Sequence, residues 1–247
     1  MVKAAIIGCG KIAQVRHIPE YLEHQAVNLV GFYDLNEKRA EELAEKYGGK
    51  AYGSVEELLA DSQIDAVSIC TANHTHAELT IKALKAGKHV LCEKPMAITL
   101  EECQRMVECA EENHRKLLIG QNQRLTRTHQ MARKLIADGE IGNVLSFQTS
   151  FQHSGPESWS VDAGKNTWFF QKKAAAMGVM GDLGIHKTDL IQYLLDDQIV
   201  EVTAEFSTLD KCYENGEKID VEDQALCIYQ MKHGAPEDKV KLVSYMV

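Results

Sequence analysis

Residues 2–7, Val-Lys-Ala-Ala-Ile-Ile, form a short apolar run that ends in Gly8-Cys9-Gly10-Lys11-Ile12-Ala13. A strand that feeds a G-x-G-x-x-A turn, with a helix opening directly behind it, restricts the possible folds sharply. The first glycine permits the tight turn, the second lets a bulky group approach the backbone, and the small Ala13 keeps the helix close to the sheet. Glycine-rich turns are common, so the weight falls on the order of elements downstream of this one. Strands are expected at 27–33, 66–70, 89–92 and 117–120, and helices at 55–60, 75–86 (closed by Gly87) and 101–114. Strands that alternate with helices imply a parallel sheet, with ligands bound beyond the carboxyl ends of its strands. Gly8, Asp34, Thr71, Asn73, Glu93 and Lys94 all fall at such ends.

A glycine turn at a helix N-terminus suits a pyrophosphate, whose charge the exposed N–H groups and helix dipole favour. Gly8, Gly10, Lys11 and Ile12 are therefore candidate cofactor-binding residues. Asp34 lies 21 residues beyond Ala13, where a carboxylate accepts hydrogen bonds from the hydroxyls of an adenosine ribose. It would repel a 2′-phosphate, and the adjacent Leu35-Asn36 offers no basic clamp, so NAD is expected rather than NADP. The competing reading has Asp34 merely capping the helix from Asn36.

The 247 residues suit one large or two modest domains. A net charge of −9 argues against general affinity for nucleic acid or anionic membranes. The seven cysteines are scattered, with no C-x-x-C pair, and no leader or membrane-length apolar run is evident. Reduced thiols in a cytoplasmic protein are expected. His74-x-His76 lacks a third ligand, so no metal is expected.

In the second half, Gly181 to Leu190 would place Asp182, His186 and Asp189 at i, i+4 and i+7 on one helical face, continuing apolar through Ile191, Leu194 and Leu195. Proton transfer needs an imidazole and a carboxylate on rigid structure, although such a pair alone equally describes a solvated surface. Further strands are expected at 198–209, 221–232 and 240–247, with turns at Asn215-Gly216 and 233–236.

Four stretches then carry a resemblance to the glucose–fructose oxidoreductase/inositol dehydrogenase (Gfo/Idh/MocA) family. They are the G-C-G-K-I-A turn, Ala86-Gly87-Lys88-His89-Val90-Leu91-Cys92-Glu93-Lys94-Pro95, Asp138-Gly139-Glu140-Ile141-Gly142 ahead of a long strand, and the Gly181–Asp189 segment. The resemblance implies an α/β Rossmann domain with a parallel sheet at 1–122. An α+β domain with a large, mostly antiparallel open sheet, used for homodimers or homotetramers, comes next at 123–247; it stops short of the family's further strands and C-terminal helix, either as a shortened version or as part of a longer protein. It implies Lys94 as the catalytic lysine, Asp182 as its acidic partner and His186 as the acid/base. Glu93 would lie near the nicotinamide ribose, and Thr71, Asn73 and His76 would line the cofactor. Trp168 matches a tryptophan near the nicotinamide, whereas Phe169 replaces the arginine usual after it. Ala72 replaces a proline, and Ala176-Met177-Gly178 replaces a triple glycine.

Oxidising a secondary alcohol requires removal of the hydroxyl proton as hydride leaves for the nicotinamide. His186 suits a general base near neutrality, Asp182 would orient it or bind a neighbouring hydroxyl, and Lys94 would stabilise alkoxide charge. The expected function is NAD-dependent hydride transfer to or from a sugar, polyol or related cyclic alcohol. The alternative is a non-catalytic, dinucleotide-bound sensor on the same fold.

Overall fold

The structure is a computed structural model that describes residues 1–233 and the backbone of 243–246. The chain divides into two compact units, Met1–Gly120 with Pro156–Ala163, and Gln121–Gly155 with Gly164–Val247.

The first unit is built on six parallel strands: β1 (Val2–Ile7), β2 (Val27–Tyr33), β3 (Lys50–Ala51), β4 (Ala66–Ile69), β5 (His89–Cys92) and β6 (Leu117–Ile119). Their order is β3-β2-β1-β4-β5-β6, that of a doubly wound dinucleotide-binding sheet. The two-residue β3 is too short to leave a periodic pattern in the sequence. The central strand shows why the run at 2–7 reads as continuously apolar. Ile6 packs with Phe32, Ala13, Ile18 and Leu43 on one face, while Ala5 and Ile7 pack with Val67, Ile69, Leu58 and Leu84 on the other. Helices cover both faces, so Ala4 to Ile7 are all buried, while Val2 and Lys3 at the start of the strand are not.

The second unit carries a four-stranded sheet of β7 (Phe147–Ser150), β8 (Ile199–Ser207), β9 (Gln224–Met231) and β10 (Val243–Met246), in the order β7-β10-β9-β8. β8–β9 and β9–β10 are antiparallel and β10–β7 is parallel. Along β9, Ala225, Cys227, Tyr229 and Met231 are buried while Leu226 and Gln230 are exposed, the period of two expected of a half-covered sheet. Cys227, Tyr229 and Met231 pack against Ile191 of the helix Ile185–Leu195. The strand expected to be long after Gly142 spans only four residues, β7. Gly216 takes the left-handed conformation its turn requires (φ +84°), while residues 234–236 of the expected 233–236 turn lie outside the described residues. Among the described residues, no helix is long and apolar enough to cross a membrane.

Candidate functional site

β1 delivers the chain into Gly8 at φ +93°, where a Cβ would lie 2.8 Å from the Cys70 carbonyl and the Thr71 methyl. Only glycine fits, because the turn passes directly over the end of β4. A Cβ on Gly10 would meet nothing closer than the Cys70 carbonyl at 4.0 Å, which leaves its backbone approachable. The turn is tied to β2 at two points. Gly8 N–H donates to the Tyr33 carbonyl at 2.8 Å, and Cys9 N–H donates to Asp34 Oδ2 at 2.7 Å. Asp34 Oδ1 accepts from Asn36 N–H at 2.8 Å. The helix Glu37–Tyr47 is capped by Asn36, whose side chain accepts from Arg39 N–H, so Asp34 is not its cap.

As expected, the residues directly after Asp34 offer it no basic clamp, but a cation stands beside it from further along the chain. That cation is Arg39, the residue whose N–H the cap receives. Its Nη1 stands 3.5 Å from Asp34 Oδ1 and its Nη2 2.6 Å from Asp162 Oδ1. The helical turn returns residue 39 to the strand end, a relation that adjacent sequence does not display.

Thr71 Oγ1 bonds Thr75 Oγ1 at 2.7 Å, and Asn73 is buried. His76 is buried too, with Nδ1 2.7 Å from the Pro95 carbonyl and Nε2 3.1 Å from that of Thr71. It lies between the segments leaving β4 and β5 and, when neutral, donates to one of the two carbonyls; burial lowers its pKa despite both. Glu93, at the end of β5, is buried with Oε1 2.8 Å from His17 Nε2 and Oε2 3.2 Å from Lys94 N–H. Burial alone would raise its pKa, but the His17 hydrogen bond, with the charges of His17 and Lys94, holds it below the ordinary value. Burial pushes the Cys9 and Cys92 thiols up to about 12, which marks them as packing groups rather than nucleophiles.

In the second unit Asp182 lies in a widened π-turn, Met180–Gly184, which runs into the helix Ile185–Leu195 carrying His186. Ile185 N–H donates back five residues to the Met180 carbonyl. Such turns are frequent at functional sites, and an α-periodic reading does not foresee one. Glu222 answers the first N–H groups of this segment: its Oε1 accepts from Gly178 and Met180 at 2.9 and 3.1 Å, and its carbonyl from Val179 at 2.9 Å. Asp182 Oδ2 stands 3.6 Å from His153 Nε2. His186 is buried, its ring centroid 6.1 Å from that of Phe151. Lys187 Nζ lies over the Phe151 ring and donates to Gln123 Oε1 at 3.0 Å; burial lowers its pKa. Asp189 is engaged by the Arg124 guanidinium, with Nε 2.6 Å from Oδ2. It therefore anchors the helix to Arg124. Trp168 stacks on Phe169 at 3.8 Å between centroids.

The first unit thus places Gly8, Gly10, Lys11, Ile12, Asp34, Thr71, Asn73, His76, Glu93 and Lys94 in the segments that follow the carboxyl ends of β1, β2, β4 and β5, and the second carries Asp182 and His186 on one continuous segment. The approachable Gly10 backbone, the helix start at Lys11 and the Asp34 carboxylate fit the pyrophosphate and ribose of a dinucleotide. Sequence reasoning missed His17, Ser68, Arg39, Asp162 and Glu222. His17 left a signal, since Ala13, His17 and Tyr21 recur every fourth residue and place an imidazole on a sheet-facing stripe. Asp162 and Glu222 left none, because their partners are 123 and 44 residues away.

Residues 2–121 match the family described as "Oxidoreductase family, NAD-binding Rossmann fold", and residues 129–236 match the GFO/IDH/MocA C-terminal domain. The chain is 34% identical over 236 residues to glucose-6-phosphate 3-dehydrogenase of Bacillus subtilis, covering 94% of this chain and 65% of that protein. It is 31% identical to myo-inositol 2-dehydrogenase of Thermotoga maritima, covering 95% and 66%. Among solved structures, the WlbA dehydrogenase from Bordetella pertussis in complex with NADH and UDP-GlcNAcA superposes with a TM-score of 0.86 at 25% identity, covering 100% of this chain and 66% of that one. The chain thus spans just under two thirds of the length of these relatives. With nearly all of its residues matched by the two family descriptions, the chain belongs to the Gfo/Idh/MocA oxidoreductase family.

Proposed function

We propose that this chain serves an NAD-dependent dehydrogenase that moves hydride between a secondary alcohol of a sugar, polyol or related cyclic alcohol and nicotinamide. One observation carries the reading: the glycine turn and the Asp34 carboxylate are pinned to each other at 2.7 Å, at the same sheet edge as Glu93-Lys94. The names of the two dehydrogenase relatives support the alcohol class. When bound, the nicotinamide supplies the hydride acceptor. Asp34 accepts from the adenosine ribose hydroxyls, and Arg39, already engaged by Asp34 and Asp162, is poorly placed to reward a 2′-phosphate. Glu93 holds hydroxyls of the nicotinamide-side ribose. Lys94 donates to the reacting oxygen and stabilises alkoxide charge. His186 takes the hydroxyl proton, and Asp182, with His153 beside it, orients the imidazole or a neighbouring hydroxyl. The same proposal has the protein in the cytoplasm as a homodimer or homotetramer through the second sheet, where Val202 and Phe206 of β8 are exposed.

The test is formation of NADH, followed by absorbance, when the purified protein is given NAD and a panel of polyols, free sugars and phosphorylated sugars. Turnover on one class is expected. NAD binding without turnover across the panel would favour a sensor, and no binding of either dinucleotide would overturn the proposal.

A further inference from the structure

Four polar side chains form a continuous line through the interior of the first unit. Tyr21 Oη is 2.5 Å from Ser68 Oγ, Ser68 Oγ is 3.2 Å from His17 Nδ1, and His17 Nε2 is 2.8 Å from Glu93 Oε1. Ser68 is wholly buried, and His17 and Glu93 are each 7% exposed. Ser68 interrupts the otherwise apolar β4 (Ala-Val-Ser-Ile). Four polar groups in such a place are costly unless every donor meets an acceptor.

The hydrogen-bond inventory limits the arrangement. With a neutral imidazole, Tyr21 donates to Ser68, Ser68 donates to Nδ1, and Nε2–H donates to the Glu93 carboxylate. With an imidazolium, Nδ1–H donates to Ser68 and Nε2–H again donates to Glu93. The remaining tautomer would set the Nε2 lone pair against a carboxylate oxygen. With Glu93 ionised, the state favoured by the contacts that lower its pKa, each arrangement without that repulsion has the carboxylate receive a hydrogen bond from His17.

The carboxylate is confined on its other sides as well. Lys94 N–H donates to Oε2, and a Cβ on Gly120 would sit 3.1 Å from Oε1 and from the carboxyl carbon. The helical segment Ala13–His17 is a widened π-turn that ends on the imidazole itself. A buried ion pair serving only stability is often matched or bettered by apolar side chains of similar volume. The line of polar groups ends instead at a strand terminus next to Lys94, at the sheet edge where ligands bind in this class of fold.

We propose that His17 is a positioning residue which holds the Glu93 carboxylate ionised and in one rotamer for the hydroxyls of the nicotinamide-side ribose, with Ser68 and Tyr21 orienting the imidazole. The proposal rests on the reading of Glu93 given under the proposed function. A comparable outer-shell role for imidazole–carboxylate pairs is familiar at metal sites, where loss of the supporting partner costs about 10–100-fold.

The test compares His17→Leu, His17→Gln and Glu93→Ala in the purified protein, with NADH and ADP dissociation constants read by fluorescence titration and competition, and thermal unfolding alongside. His17→Leu is expected to weaken NADH binding about tenfold while leaving ADP, which carries only the adenosine half, within about twofold. His17→Gln, which keeps an N–H donor for Glu93, should recover most of the loss. Unchanged NADH affinity in His17→Leu, equal losses of NADH and ADP, or no rescue by glutamine would each overturn the proposal. If Glu93→Ala binds NADH normally, the reading of Glu93 itself fails. If only Glu93→Ala weakens binding, that reading survives and the role of His17 alone falls. Should His17→Leu not fold, Ser68→Ala combined with Tyr21→Phe is expected to weaken NADH about threefold at constant ADP affinity, and no change there overturns the proposal.

Discussion

Gly178 and Glu222 meet backbone to backbone: a Cβ on Gly178 would lie 1.9 Å from the Glu222 carbonyl oxygen. That approach lets one glutamate satisfy the N–H groups of residues 178, 179 and 180, which open the segment bearing Asp182 and His186. Gly178→Ala cannot be absorbed by a side-chain rotation, because the obstacle is main chain. It is expected to destabilise the second unit by about 2–3 kcal/mol, measured as a lower urea midpoint. An unaltered midpoint would mean that the segment docks differently.

Two residues earlier, Ala176 holds a positive φ of 66°, a conformation that costs an L-residue with a Cβ. Ala176→Gly should therefore stabilise the protein by about 0.5–1 kcal/mol, the relief of strain exceeding the added freedom of the unfolded chain. A lower melting temperature in this variant would contradict it.

Arg39 stands between two carboxylates, Asp34 and Asp162. Asp162 is 75% exposed, so Asp162→Asn should leave folding intact while freeing part of the guanidinium. The expected result is NADPH binding tightened about three- to tenfold, roughly 1 kcal/mol, with NADH little changed. Fluorescence titration with each dinucleotide checks it, and a constant ratio of affinities would place Arg39 away from the 2′ position.

Lys94→Ala and His186→Ala are each expected to lower turnover by ~10² or more while NADH affinity stays within about threefold. The assignments do not survive wild-type turnover in either variant.

Burial lowers the His76 pKa below the ordinary imidazole value of 6.5. Between the folded-state and unfolded-state values the unfolded chain binds the extra proton, so stability rises with pH there. The contribution of His76 is complete above about 6.5 and is lost as the pH falls through the folded-state value. Urea midpoints should therefore drop between about pH 7.5 and about pH 5.5, and His76→Asn should flatten that dependence. An equally steep loss in the variant would assign it to another group.

The strands, the glycine turn and the placing of Asp34 were legible because each is written in neighbouring residues. An apolar run buried on two faces marks β1, a turn crossing the end of β4 demands Gly8, and a carboxylate closes β2 at a fixed distance along the chain. The Gly181–Asp189 segment was legible as a helical face but not as a π-turn, since the five-residue hydrogen bond that widens it depends on packing beneath it.

By itself, then, the sequence determined a doubly wound nucleotide-binding unit, a sheet-bearing unit after it and the candidate residues of each. Tertiary structure alone decided how those residues are held. His17 reaches Glu93 across 76 residues, Arg39 reaches Asp162 across 123, and Gly178 meets Glu222 across 44. The physical reason is range. Periodicity and turn chemistry act over a few residues, whereas the partner of a buried charge is set by which strand ends and helix turns the finished fold brings within hydrogen-bonding distance.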